Sequence, residues 1–169
     1  MKDLLPSLYN TKVAIIGLGY VGLPLALKIS DCKKCLVTNN SIKRKVIGFD
    51  LNIKRIQSLK NGYDHTNEIE KEQLKSNTLI NYTNDEKFLI DSDLFIITVP
   101  TPVDDAKRPD FKYLKSASEI VGKAIYKRDN INSSPIVIYE STVYPGATEE
   151  ICVPILEKSS KLTFNSEIK

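Results

Sequence analysis

The 169-residue sequence has one histidine, three cysteines and no apolar run near the ~18 residues of a membrane span. Each scarcity excludes something. Cys32-Lys-Lys-Cys35 has the look of a metal or redox pair, but a zinc site usually needs two more ligands. The remaining candidates, His65 and Cys152, lack the usual spacing, so no metal is expected. An odd number of cysteines leaves one thiol over in any pairing scheme, which suits a reducing cytosol. The first ten residues lack the apolar core of a signal peptide and read as a short helix or arm beside the first strand. Charge of one sign is also scarce: 24 Lys and Arg against 21 Asp and Glu leave a net charge of +3, too small to argue for nucleic acid. No repeat or low-complexity segment occurs. The expectation is a cytoplasmic protein without membrane or nucleic-acid partners, large enough to bury a core as one domain.

What the sequence does hold is a glycine motif in a telling context. The apolar run from Lys12 to Ile16 leads into Gly17-x-Gly19-x-x-Gly22, and a helical apolar pattern follows. Val46-Ile-Gly-Phe-Asp50 then supplies a second strand ending in an acid. Strand, glycine loop, helix, strand and acid together form the βαβ dinucleotide motif. Gly17 serves the tight turn, Gly19 lets backbone approach a pyrophosphate, and Gly22 lets the helix pack closely on the strand. Unpaired N–H groups at the helix start suit phosphates.

Elements alternate along the rest of the chain. Strands are expected over 12–16, 46–50, 79–83, 93–99 and 135–140. Helices are expected over 20–30, with Val21, Leu25 and Ile29 at a spacing of four, over 53–60, within 67–75, briefly over 85–90, and over 110–127. In the 110–127 helix Asp110 is a candidate cap, and Leu114, Ala117, Ile120, Val121, Ala124 and Ile125 share a face. A last helix opens at Pro145-Gly146 and runs to about residue 158, with Pro154 expected to kink it. The tail is polar and reads as having no closing element. The expected fold is α/β: a Rossmann-like doubly wound parallel sheet in three αβα layers. Residues 1–11 are an arm, 12–160 the dinucleotide-binding domain, and 161–169 the start of a linker. Ligands of such sheets bind at the carboxyl ends of the strands, where the glycine loop, Asp50, Val99-Pro-Thr-Pro102 and Glu140-Ser-Thr-Val-Tyr-Pro-Gly146 all fall.

Asp50 lies 28 positions past Gly22, against about 20 in the usual motif. The polar connection over 31–45 accounts for the excess, because an insertion shifts the acid in sequence and not in space. A carboxylate here accepts from ribose hydroxyls and repels a 2′-phosphate. At ~4 Å and an effective dielectric of ~20, unit charges interact by about 4 kcal/mol, and tenfold discrimination needs ~1.4. NAD is therefore favoured over NADP, although Lys54 and Arg55 could rescue a phosphate. The competing reading of Asp50 is a cap on the following helix.

Taken together, Gly17-Leu-Gly-Tyr-Val-Gly22, Gly48-Phe-Asp50, Val99-Pro-Thr-Pro102 and Ser141-Thr-Val143 resemble the NAD-binding domain of the UDP-glucose/GDP-mannose dehydrogenase family. The resemblance runs from about Lys12 to Asn165. Pro100-Thr-Pro-Val-Asp-Asp105, Arg108-Pro-Asp110 and Tyr139-Glu-Ser-Thr-Val-Tyr-Pro-Gly-Ala-Thr-Glu-Glu150 narrow it to the branch acting on UDP-N-acetylglucosamine or UDP-N-acetylgalactosamine for surface polysaccharides. The resemblance implies oxidation of C6 from alcohol to carboxylate with two NAD. The family's catalytic cysteine, lysine, asparagine and aspartate lie beyond the stretch this sequence covers. The chain alone is thus expected to be an inactive fragment, monomeric or weakly dimeric, while the full-length protein would be a homodimer acting on a UDP-sugar.

By the same resemblance Gly17, Gly19, Tyr20, Val21 and Gly22 would contact the pyrophosphate, and Asp50 and Arg55 the adenosine ribose. Val99, Pro100 and Thr101 would line the nicotinamide side. Ser141 would fix the nicotinamide half, and Thr142 would bind cofactor and assist catalysis near C6. Helix capping is the alternative for Ser141 and Thr142. A stand-alone NAD-binding or sensing module is the alternative for the whole chain. The 6-phosphogluconate and β-hydroxyacid dehydrogenases share the fold but lack a close match to Ser-Thr-Val-Tyr-Pro-Gly. Cys152 reads as core, Lys43-Arg44-Lys45 as a solvated face, and His65 as a surface residue.

Overall fold

The computed structural model describes residues 5–7, 9, 11–35, 38–42, 44–103, 105, 108–129 and 133–169. Strands β1 (Val13–Ile16), β2 (Val46–Phe49), β3 (Ile80–Thr83), β4 (Leu94–Ile97) and β5 (Ile136–Tyr139) form one sheet in the order β3-β2-β1-β4-β5. All four pairings are parallel. The helices are α1 (Gly22–Ser30), α2 (Ile53–Lys60), α3 (Lys71–Ser76), α4 (Lys112–Tyr126) and α5 (Val153–Ser160). The strand order reverses beside β1, so the chain winds outward in both directions and leaves a crevice at the carboxyl ends of β1 and β4.

Strand β1 is apolar throughout because it is covered on both faces. Val13 and Ile15 pack with Leu23, Leu27, Ile56 and Leu59 under α1 and α2. Ala14 and Ile16 pack with Leu114, Val121 and Leu156 under α4 and α5. These are the three layers expected, and the apolar stripe read on α4 is buried in full.

The local differences have physical causes. Helix α1 starts at Gly22 and buries Leu23, Ala26, Leu27 and Ser30, not the expected 21/25/29 stripe; Val21 is 41% exposed. Gly22 sits directly against the glycine loop, and that contact turns the neighbouring stripe onto the sheet. Helix α4 starts at Lys112, with Phe111 at the cap position. Asp110 instead accepts from the Lys112 N–H at 2.9 Å, in a turn just ahead of the helix. The expected last helix is a π turn, Thr148–Cys152, running into α5. Pro154 has no N–H to return to the carbonyl four residues back, so the backbone widens before it and Pro154 falls in the first turn of α5.

The tail does find a partner. Lys169 donates to the Pro135 carbonyl at 3.0 Å and accepts from the Val137 N–H at 2.7 Å. Ile168 is buried. At the amino edge of the sheet, Arg128 forms a buried ion pair with Asp93 and donates to the Ser133 carbonyl at 2.8 Å. This ties the end of α4 to the starts of β4 and β5.

The 31–45 connection carries a small hairpin, in which Lys34 bridges Ser41. Tyr9 from the arm donates to Thr38 at 2.5 Å. Cys32 is exposed and Cys35 buried; no disulfide and no metal-ligating group of three forms among the described residues. Lys43, residues 1–4, 8 and 10 of the arm, and Asp104 of the proline-rich motif lie outside the described residues. Lys45 is exposed just ahead of β2, at the edge opposite the crevice. Cys152 is fully buried, and burial pushes its thiol up, as suits a core residue.

Candidate functional site

The glycine loop leaves β1 at Gly17, whose φ is +98°. That conformation suits glycine, and a Cβ there would also press on the Thr98 carbonyl at 3.2 Å. Gly22 is held more tightly. A Cβ on it would drive into the Gly17 carbonyl oxygen and the Thr98 hydroxyl. The Thr98 hydroxyl donates to the Gly17 carbonyl at 2.7 Å and so fastens the loop to the end of β4. Gly19 is the opposite case, with nothing within 4 Å of its Cβ position. Open space above bare backbone at a helix start is what a pyrophosphate requires.

Asp50 stands at the end of β2. Its carboxylate accepts from the Leu18 N–H at 2.9 Å and from the Asn52 N–H at 2.8 Å. The cap on α2 is Asn52, whose side chain accepts from the Arg55 N–H. Asp50 is therefore not that cap. It keeps lone pairs for further donors.

Arg55 is only 3% exposed although it lines the cleft. Its Nε donates to the Leu18 carbonyl at 2.7 Å, and its Nη1 pairs with Asp64 at 2.6 Å. Nη1 also lies 3.0 Å from His65 Nδ1. Asp64 is the hub of the loop after α2, since it also accepts from the Thr66 hydroxyl and from the Thr66, Glu68 and Ile69 N–H groups. Burial alone would raise the Asp64 carboxyl. The bonds from Thr66 and Arg55 and the charge of Arg55 outweigh it and bring the group down to about 2. Arg55 Nη2 is buried without a partner among the described residues, as is the Tyr82 hydroxyl. Burial pushes Tyr82 up to about 12.

The depressed Asp64 value has a pH consequence. A carboxyl at about 2 in the folded state, against 3.8 as its ordinary value, stabilises the fold above pH ~4, and that contribution is lost as pH falls toward 2. It amounts to about 2 kcal/mol. Urea unfolding of the wild type at pH 6, 4 and 2.5 should show this loss, and Asp64→Asn should lack that part of the acid slope. An equal slope in the variant would remove Asp64 as its source.

On the other side of the crevice the loops after β4 and β5 are laced together. Ser141 donates to the Val99 carbonyl and Thr101 to the Thr142 carbonyl, both at 2.6 Å. Neither the π turn nor α5 has a side-chain cap, so Ser141 and Thr142 cap nothing there. Phe111 meets Tyr144 edge-on, with ring centres 5.7 Å apart.

A cleft of about 380 Å³ gathers Gly17, Gly19, Asp50, Arg55, Val99 and Pro100. Tyr20 and Val21 are exposed beside it, Gly22 is buried beneath it, and Thr101, Ser141 and Thr142 fall outside its wall. Sequence reasoning missed Leu51, Asn52, Thr98, Tyr113, Ser116, Ala117 and Ile120. It also placed His65 on a plain surface, whereas this exposed ring is part of the lining. Thr98 carried a signal, a hydroxyl closing an otherwise apolar buried strand. The α4 residues carried none beyond their core-facing periodicity.

A doubly wound parallel sheet with a glycine loop and a strand-end acid sharing one cleft defines a dinucleotide-binding domain of dehydrogenase type. The open position above Gly19, the remaining lone pairs of Asp50 and the unpartnered Arg55 Nη2 fit NAD. The chain belongs to the UDP-glucose/GDP-mannose dehydrogenase family, whose NAD binding domain model matches residues 11–169. It is 47% identical over 167 residues to a UDP-N-acetyl-D-glucosamine 6-dehydrogenase of Pseudomonas aeruginosa, covering 99% of this chain and 34% of that protein. It is 50% identical over 153 residues to Protein CapL of Staphylococcus aureus, covering 90% and 32%. The chain thus spans about a third of the curated relatives it matches. Its fold matches a ternary complex of GDP-mannose dehydrogenase from Pseudomonas aeruginosa with a TM-score of 0.79 at 24% identity, over 94% of this chain and 35% of the other.

Proposed function

We propose that this chain is the NAD-binding portion of a nucleotide-sugar dehydrogenase that oxidises C6 of a UDP-N-acetylhexosamine or UDP-hexose to the uronic acid, using two NAD, for surface polysaccharide synthesis. The observation that carries the reading is the meeting of the Gly17–Gly19 backbone and the Asp50 carboxylate at one cleft. The 47% identity to a UDP-N-acetyl-D-glucosamine 6-dehydrogenase supports the substrate class. When bound, NAD takes the hydride from the carbon being oxidised.

The residues divide the work. Gly17, Gly19, Tyr20, Val21 and Gly22 receive the pyrophosphate, with the α1 N-terminus supplying N–H groups. Asp50 and Arg55 hold the adenosine ribose. Val99, Pro100, Thr101 and Ser141 shape the nicotinamide side, where Ser141 and Thr101 fix two loops to each other. Thr142 presents its hydroxyl to the sugar oxygen near C6. By itself the chain binds NAD without turnover, as a monomer or weak dimer; the full-length protein is a cytoplasmic homodimer.

Isothermal titration should show NAD binding by this chain, with no NADH formed from UDP-sugars. Absence of NAD binding would overturn the reading, and turnover by the chain alone would overturn its fragment part. Asp50→Ala should weaken NAD binding about tenfold, which is ~1.4 kcal/mol, and narrow the gap to NADP. An unchanged NAD-to-NADP ratio would remove Asp50 from cofactor choice.

A further inference from the structure

An arginine beside the ribose end of such a cleft can accommodate a 2′-phosphate, yet here the guanidinium is already committed. Nε is spent on the Leu18 carbonyl and Nη1 on Asp64. His65 faces the same nitrogen. Because an arginine nitrogen only donates, His65 Nδ1 is the acceptor in this contact. Asp64 is fully buried in its side chain and holds its charge through Thr66 and three backbone N–H groups besides Arg55. What remains is Nη2, buried and without a partner among the described residues, on a side chain that lines the cleft.

We propose that Asp64 is a positioning residue for cofactor choice: by neutralising Arg55 it leaves Nη2 as a hydroxyl donor, so that the ribose end accepts a 2′-hydroxyl and rejects a 2′-phosphate. This rests on the NAD-binding reading above and adds a second carboxylate to it. The charges at that end are Asp50 and Asp64 against Arg55 alone. Tyr82 is neutral there, and Lys54 is exposed on α2. The sum is one negative charge. A phosphate needs the reverse, a fork of two N–H groups on an uncompensated guanidinium. Sequence alone left Arg55 able to rescue a phosphate; the buried pair removes that ability.

The test is titration of NAD and NADP into wild type, Asp64→Asn, Arg55→Gln and the double variant, with thermal melts alongside. Asp64→Asn should narrow the preference for NAD at least tenfold. Most of that shift should vanish in the Arg55→Gln background, because Asp64 acts through Arg55. An unmoved ratio in Asp64→Asn, or the same shift without Arg55, would overturn the proposal. If Asp64→Asn melts below the assay temperature, Arg55→Gln carries the test. It leaves two uncompensated carboxylates, so NADP affinity should fall at least tenfold more than NAD affinity, and equal losses would overturn the proposal. Wild type that binds neither nucleotide overturns the NAD-binding reading itself. Wild type that binds NAD while the ratios stay fixed overturns the role of Asp64 alone.

Discussion

Gly22→Ala should destabilise the domain by roughly 3 kcal/mol and abolish NAD binding. Overpacking a core position usually costs about 1–3 kcal/mol. This site belongs at the upper end, because the added Cβ meets the Gly17 carbonyl oxygen and the Thr98 hydroxyl. Neither can swing away: Gly17 is fixed by its N–H bond to the Phe49 carbonyl at 2.8 Å, and Thr98 by its bonds to the Gly17 and Ile16 carbonyls. Helix α1 must therefore retreat from the strand and carry its N–H groups away from the pyrophosphate. For a domain of this length the melting temperature should fall by roughly 6–12 °C. Gly19→Ala is the matched control. Its Cβ meets nothing within 4 Å, so the melt should stay near wild type while NAD affinity drops. A Gly22→Ala protein that melts like wild type would show that the loop is not packed as described.

These two glycines also show why the scaffold was legible in the sequence. The motif specifies backbone, and backbone geometry follows from where a Cβ is absent. Helix α2 came out at 53–60 as expected because its signals are local: Asn52 caps its start, and Gly62 at φ +73° lies just past its end. The sheet was legible because buried parallel strands are apolar throughout, as Val13–Ile16 and Leu94–Ile97 are. The stripe on α1 was not. Val21, Leu25 and Ile29 have the right spacing, but the loop contact at Gly22 decides the helix rotation, and no period within the helix records it.

The site divides in the same way. Gly17, Gly19, Asp50, Val99 and Pro100 could be brought together on paper because strand ends in a parallel sheet share one edge. The Arg55–Asp64 pair could not. Asp64 lies in a loop without periodicity, and a carboxylate there reads as solvated until Thr66, Glu68 and Ile69 are seen to turn their N–H groups onto it. His65 misled for the same reason. Its place in the cleft comes from the Asp64 turn and from Arg55, which arrives from a different element.

Thr142→Ala, made in the full-length protein, should lower kcat by roughly 10²–10³, or ~2.7–4 kcal/mol, the usual cost of losing one positioned donor at a developing charge. The expectation follows from the proposed role and from the local build. The Thr142 carbonyl is held by the Thr101 hydroxyl, and Ser141 is held to Val99. The backbone on both sides of the side chain is thus fixed to the carboxyl edge of β4. The Thr142 side chain itself is exposed, and its hydroxyl has no partner among the described residues. A hydroxyl on pinned backbone, with no structural task, is free to meet a substrate oxygen. NAD affinity should change little, and the fall should appear in kcat and kcat/KM together. Thr142→Ser should recover much of the rate, because the hydroxyl survives. In the present chain Thr142→Ala should leave the melt within about 2 °C, since a surface change with no lost bond is usually worth under ~0.5 kcal/mol. Single-turnover kinetics separates the outcomes: a variant with unchanged kcat and weakened NAD binding would make Thr142 a cofactor contact with no part in the chemical step.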